Sequence, residues 1–294
     1  MPKHSPDTTT IKGTGVALVT PFDKTGNIDF KGLSNVLTHT SKYVDYFVVM
    51  GTTAESVTLN KEERIQVLNF VKENNPEGLP IIYGMGGNNT AQILEDIKHT
   101  NLEGVFALLS VCPYYNKPSQ RGLRHHFTEI ANNSPIPIVL YNVPGRTSCN
   151  LTAETTLFLA NHENIIGTKE ASGNLEQVMN ILLDKPEDFV VVSGDDLLTL
   201  PMLSIGAEGV ISVLANAYPH YFSEMIAAFN SGNMAKAREQ LYKFLKLNPL
   251  MYEESNPVGV KQLLSELGIC EHFVRSPLYE ASDELKSKIS KLIK

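Results

Sequence analysis

Lys169 closes the apolar run Ile165-Ile166-Gly167-Thr168, which carries its amine to the end of a buried strand, a place where lysine is rare. Once neutral, such an amine attacks carbonyl carbons and forms an imine. Tyr141 closes another apolar run, and a phenol beside an imine can carry the protons its formation requires. Thr52 and Thr53 follow Gly51 behind a third run, offering hydroxyls and backbone N–H groups to a carboxylate. Arg146 lies just past Pro144-Gly145, and its planar fork suits a second carboxylate. Taken singly, each residue has a plainer account: a snorkelling lysine, a core tyrosine, a turn, a surface arginine.

Metal chemistry is poorly supplied. No HExxH occurs, and His125 and His126 are adjacent on a predicted helix, so they point in different directions. Asp195-Asp196 could ligate magnesium, but a rim or helix-cap role suits the pair better. No Walker loop is present, and Gly84-Met85-Gly86-Gly87 lacks the spacing of a dinucleotide fingerprint.

The elements that must position these groups are legible as eight short apolar runs: Val16–Thr20, Tyr46–Met50, Ile81–Gly84, Val105–Ser110, Pro137–Tyr141, Ile165–Lys169, Val190–Ser193 and Gly209–Val213. Several are apolar almost throughout, as parallel strands covered on both faces are. Helical stretches fall between them. Phe30, Leu33, Val36 and Leu37 lie at helical spacing. Asn60 with Glu63 has the pattern of a capping box, and Thr152 is placed to cap a helix through Thr156, Leu157 and Leu159. Strand–helix alternation of this kind predicts an α/β (β/α)8 TIM barrel, with an open doubly wound sheet as the competitor. In a barrel, the polar segments that follow the strands would converge on one rim.

The expected organisation is a frayed tail over residues 1–10, a barrel over 11–225, and a C-terminal helical extension over 226–294. In the extension, Leu241, Phe244 and Leu245 form one stripe and Val260, Leu263, Leu264 and Leu267 another, with a helix-ending Pro249 between them.

The 294 residues carry a net charge of -7, which argues against nucleic-acid or anionic-membrane partners. No apolar run is long enough to span a bilayer, and MPKHSPDTTT has no apolar stretch behind it that would make it a secretory signal. Three cysteines without CxxC spacing (Cys112, Cys149, Cys270) read as small buried hydrophobes in a reducing cytoplasm.

GTTAES, PYYNKP, YNVPGRT and KEASG, together with Asn256-Pro257-Val258-Gly259-Val260-Lys261, resemble the dihydrodipicolinate synthase family, within the wider group that includes N-acetylneuraminate lyase. The resemblance runs over nearly the whole chain. It implies that Lys169 forms an imine with pyruvate, that Tyr141 shuttles protons in a relay with Thr52 and Tyr115, and that Thr53 and the backbone of Ile211 hold pyruvate. Arg146 would bind the carboxylate of L-aspartate-4-semialdehyde, and condensation would lead to 4-hydroxy-tetrahydrodipicolinate on the way to diaminopimelate and lysine. No external cofactor is implied, because the lysine is the electron sink. The family's equivalent of Tyr115 enters from a neighbouring subunit, which implies a homodimer and, by the family's habit, a homotetramer built as a dimer of dimers. Ser56, Asn88 and Tyr114 match an effector pocket for lysine, and Gln92 stands at a further position of that pocket. Many sensitive members carry glutamate where Gln92 stands and histidine where Arg64 stands, so weak or absent inhibition is expected. Ala54 stands where the family often has glycine, a harmless change unless the position needs a positive φ.

Two rival readings share the barrel. An aldolase for N-acetylneuraminate, a keto-deoxy sugar acid or 4-hydroxy-2-oxoglutarate would use the same lysine, but Thr52 and Arg146 favour the synthase. A non-catalytic barrel would be expected to have lost one of Lys169, Tyr141, Thr52 or Tyr115, and all are present.

Overall fold

A computed structural model describes residues 7–293. The apolar runs become eight strands: β1 (Gly13–Ala17), β2 (Tyr46–Val49), β3 (Ile81–Gly84), β4 (Ala107–Val111), β5 (Ile138–Asn142), β6 (Ile165–Glu170), β7 (Val190–Ser193) and β8 (Gly209–Ser212). They close in sequence order into a barrel with helices between them, so the fold is a (β/α)8 TIM barrel with C-terminal helices. Every residue of β2 and of β5 to β8 is buried, which is why these segments show no polar–apolar alternation.

The first strand starts earlier than its apolar run. Glycine is a poor strand former, so Gly13 and Gly15 hide the start. Gly15 is there for space: a Cβ added to it would lie 2.1 Å from the Tyr46 ring on β2.

Helix ends follow the local chemistry. Asn60 Oδ1 accepts from the Glu63 N–H at 2.9 Å and Glu63 Oε2 accepts from the Asn60 N–H at 2.9 Å, the full capping box at the head of the helix Lys61–Glu73. Thr152 caps Ala153–Ala160, and Asp29 caps Phe30–Thr40, whose Leu33, Val36 and Leu37 are buried. In the C-terminal region, Val260, Leu263 and Leu264 are buried on the helix Val258–Glu266 and Leu267 lies at its exposed edge. Pro249 differs from expectation. The preceding helix Met234–Lys243 ends before it, which leaves Leu245 exposed, and Pro249 instead opens Leu250–Glu253.

The described residues divide into two compact units, one comprising residues 7–12 and 80–211, the other residues 13–79 and 212–293. Residues 1–6 of the expected frayed tail lie outside the described residues. The next residues form an Asp7-capped 3-10 turn, Thr8–Ile11, that buries Ile11. The thiols of Cys112 and Cys149 are buried and that of Cys270 is partly so, all three free. Among the described residues, no helix is long and apolar enough to cross a membrane.

Candidate active site

The parallel register of β5 and β6 sets Tyr141 beside Lys169 and Asn142 beside Glu170. Lys169 is only 5% exposed, and its Nζ lies 4.4 Å from the centre of the Tyr141 ring. Among the described residues no carboxylate is paired with this amine. The ring contact therefore orients the amine without engaging it in an ion pair.

Two neighbours of Lys169 were not visible as functional in the sequence. The first is Gly194, just past β7. A Cβ there would come within 2.9 Å of Lys169 Cε and 2.7 Å of Ala171 Cβ, so the lysine stem occupies space that any larger residue at 194 would take. The second is Glu170, fully buried. Its carboxylate accepts from the Ser172 N–H at 2.7 Å, from Asn142 Nδ2 at 3.1 and 3.2 Å, and from Gln177 Nε2 at 3.2 Å. Burial pushes the Glu170 carboxyl above the usual range, against the pull of these hydrogen bonds. Asn142 Oδ1 accepts in turn from the Leu151 N–H at 2.9 Å, and Asn150 Nδ2 donates to Gln177 Oε1 at 2.8 Å. The network ties together the ends of the strands that carry Tyr141 and Lys169. Its trace in the sequence is that Glu170 falls in KEASG and Asn142 in YNVPGRT; the bonds between them are not legible there.

In the other unit, Thr52 and Thr53 share the 3-10 turn Thr52–Ala54 behind β2. Thr53 is buried, and its Oγ1 accepts from Asn256 Nδ2 at 3.0 Å. Ala54 is not among the residues at positive φ; the left-handed residues of this segment are Met50 and Glu55, at φ 61° and 53°. Alanine is therefore unstrained here, as expected.

Arg146 stands exposed on the short helix Pro144–Thr147 directly after β5. Ile211 is buried in β8. Tyr115 is 89% exposed at φ 75°. Of the expected effector residues, Asn88 and Tyr114 come together, with Asn88 Nδ2 donating to the Tyr114 carbonyl at 3.1 Å. Gln92 is exposed and instead donates along its own helix to Asp96 Oδ1 at 3.1 Å. Ser56 opens the next 3-10 turn, Ser56–Thr58. Arg64 Nε donates to the Asn60 carbonyl at 3.4 Å. Asp195 Oδ1 accepts from the Leu197 and Leu198 N–H groups and so closes a turn before the helix Thr199–Ser204, whose N-cap is Leu198 without a side-chain cap. His126 is buried and His125 exposed, so the two do diverge.

Backbone strain picks out the same motifs. The non-glycine residues at positive φ are Met50, Glu55, Tyr115, Lys117, Ser148 and Ser255 among the described residues. Each falls inside or directly beside GTTAES, PYYNKP, YNVPGRT or NPVGVK. Left-handed residues other than glycine cost about 1–3 kcal/mol each and persist where a site over-determines them.

Known proteins align with this chain over nearly its full length. The Dihydrodipicolinate synthetase family matches residues 10–294. The 4-hydroxy-tetrahydrodipicolinate synthase of Cytophaga hutchinsonii is 50% identical over 281 residues, 95% of each chain. The crystal structure of dihydrodipicolinate synthase from Aquifex aeolicus superposes with a TM-score of 0.92 at 39% identity, covering 96% of this chain and 97% of that one. The chloride-inhibited dihydrodipicolinate synthase of Acinetobacter baumannii complexed with pyruvate does so with a TM-score of 0.92 at 35% identity, covering 96% of this chain and 98% of that one. With a family match over residues 10–294 and a relative 50% identical over 95% of each chain, the chain belongs to the dihydrodipicolinate synthetase family.

Proposed function

We propose that this chain condenses pyruvate with L-aspartate-4-semialdehyde through an imine on Lys169, giving 4-hydroxy-tetrahydrodipicolinate for the synthesis of diaminopimelate and lysine. The observation that carries this reading is the buried Lys169 amine, held over the Tyr141 ring and unpaired by any carboxylate among the described residues. Family membership supplies the substrates.

Lys169 Nζ attacks C2 of pyruvate, and the carbinolamine loses water to give the imine. Tyr141 passes the protons, in a relay with Thr52 and Tyr115. The imine withdraws electrons from C3, which loses a proton to become an enamine; no further cofactor is required. The enamine carbon attacks the aldehyde of the second substrate, whose own amine then attacks C2 and displaces Lys169. Thr53 and the Ile211 backbone hold the pyruvate carboxylate, and Arg146 binds the carboxylate of the semialdehyde, a task its exposed place after β5 suits.

Tyr115 acts in a second copy of the chain. An aromatic residue in a left-handed conformation and almost wholly exposed is strained for no purpose within its own chain. The working unit on this reading is a homodimer, and two dimers form a homotetramer. Three free thiols fit a reducing cytoplasm.

The test is consumption of pyruvate with L-aspartate-4-semialdehyde, run beside cleavage of N-acetylneuraminate and of keto-deoxy-gluconate. Condensation that vanishes in Lys169→Ala, with little cleavage, is the expected result. Cleavage of a sugar acid without condensation would overturn the substrate assignment while keeping the Schiff base.

A further inference from the structure

Apart from Lys169 the chain holds another buried lysine, Lys261, which the chemistry proposed above does not use. Lys261 is 0% exposed. Its Nζ contacts Glu55 Oε1 at 2.5 Å and the Phe273 carbonyl at 2.8 Å, and sits 4.1 Å from the centre of the Phe22 ring. The other oxygen of Glu55 accepts from the Arg275 N–H at 2.9 Å. The Arg275 guanidinium spans Glu63 with both nitrogens, at 2.6 and 2.9 Å, and donates to the carbonyls of Gly26 and Thr58. Glu55 is the left-handed residue that ends the Thr52–Ala54 turn, its N–H bonded to the Thr52 carbonyl. Asn256, five residues before Lys261, donates to Thr53.

Stability alone does not account for this arrangement. Taking two charges out of water carries a penalty that their attraction rarely exceeds, and apolar pairs of similar volume serve as well or better. What the charges supply is direction. Two separate donors fix both oxygens of Glu55, and so hold a strained backbone at the end of the threonine turn. The amide of Asn256 adds a second constraint. By donating to Thr53 Oγ1 it occupies a lone pair, which turns the hydroxyl's own proton outward as a donor.

We infer that Lys261, Glu55 and Asn256 are positioning residues that hold the Thr52–Thr53 turn and aim the Thr53 hydroxyl as a donor to the substrate carboxylate. The inference rests on the reading that Thr53 holds pyruvate. The signal of strain at Ser255, directly before this segment, places it with the other functional loops.

The test compares the wild-type chain with Glu55→Gln/Lys261→Met and, independently, Asn256→Asp. Each is measured by thermal unfolding and by the pyruvate dependence of borohydride-trapped adduct on Lys169. In the double variant both buried charges are removed together, so neither is left buried and unpaired. A positioning role predicts a half-saturating pyruvate concentration raised about 10-fold or more despite intact folding, since a misplaced binding group loses orientation. Asn256→Asp replaces the donor by an acceptor that captures the Thr53 proton, and the same rise is expected there. If the double variant unfolds, Asn256→Asp decides alone. Variants that fold and trap pyruvate like wild type would overturn the inference and leave the Schiff-base reading standing. A wild-type chain that traps no pyruvate would overturn both.

Discussion

Gly194→Ala tests how tightly the barrel holds its lysine. The added methyl would lie 2.9 Å from Lys169 Cε, 3.1 Å from Lys169 Cγ and 2.7 Å from Ala171 Cβ. Carbon atoms pack at about 3.5–4.0 Å, so the contacts demand relief of roughly 0.5–1 Å. Ala171 is fixed to the backbone, and the flexible lysine stem gives way first. Overpacking of this kind costs about 1–3 kcal/mol of stability, which a domain of this size survives. Its effect on chemistry is larger: a shift of ~1 Å in a reacting group can lower a rate by about 100-fold. The assay is the rate of pyruvate adduct formation on Lys169 in stopped aliquots reduced with borohydride, with denaturant unfolding as the control. The expected outcome is a fall of about 10- to 100-fold in trapping with the fold retained. Gly194→Ala trapping pyruvate at the wild-type rate would show that the amine is not held by the space Gly194 leaves.

Mixing inactive Tyr115→Ala and Lys169→Ala chains should recover roughly a quarter of wild-type condensation, because half of randomly paired dimers contain one complete site; no recovery would place Tyr115 outside the partner's site. Burial lowers the His126 imidazole to about 4, so the unfolded chain binds its proton near pH 6.5 and the folded chain does not. Stability is therefore full above pH 6.5 and declines by up to about 3 kcal/mol as pH falls toward 4; denaturant titrations of His126→Gln should show a flatter profile over that window, and parallel profiles would refute the assignment. Free lysine should inhibit weakly or not at all, since Gln92 offers an ammonium no full counter-charge; strong inhibition at micromolar lysine would contradict this.

The barrel was readable because β2 and β5 to β8 are buried on both faces and so appear as apolar runs, while Asn60, Glu63 and Thr152 mark helix starts by short-range bonds. Lys169 and Tyr141 stood out for a related reason: each is polar at the end of such a run. What escaped depends on contacts far along the chain. The Asn256–Thr53 and Lys261–Glu55 bonds join residues 203 and 206 positions apart, and no local pattern announces them. Glu55 and Tyr115 are held left-handed by their surroundings, against the preference of their own side chains. Gly194 has no local signature either, since what requires a glycine there is the Lys169 stem beside it. Pro249 opens a helix where one was expected to end, because proline suits the first turn of a helix as well as the segment after its end.

Of the two deeply buried lysines among the described residues, Lys169 is the proposed nucleophile. Lys261 is locked onto Glu55 and the Phe273 carbonyl, whereas the Lys169 amine faces the Tyr141 ring. Incubation with pyruvate, reduction with borohydride and peptide mapping by mass spectrometry separate the two. A single reduced pyruvate adduct is expected on the peptide containing Lys169, and none in Lys169→Ala. An adduct on Lys261, or an equal yield from Lys169→Ala, would contradict it.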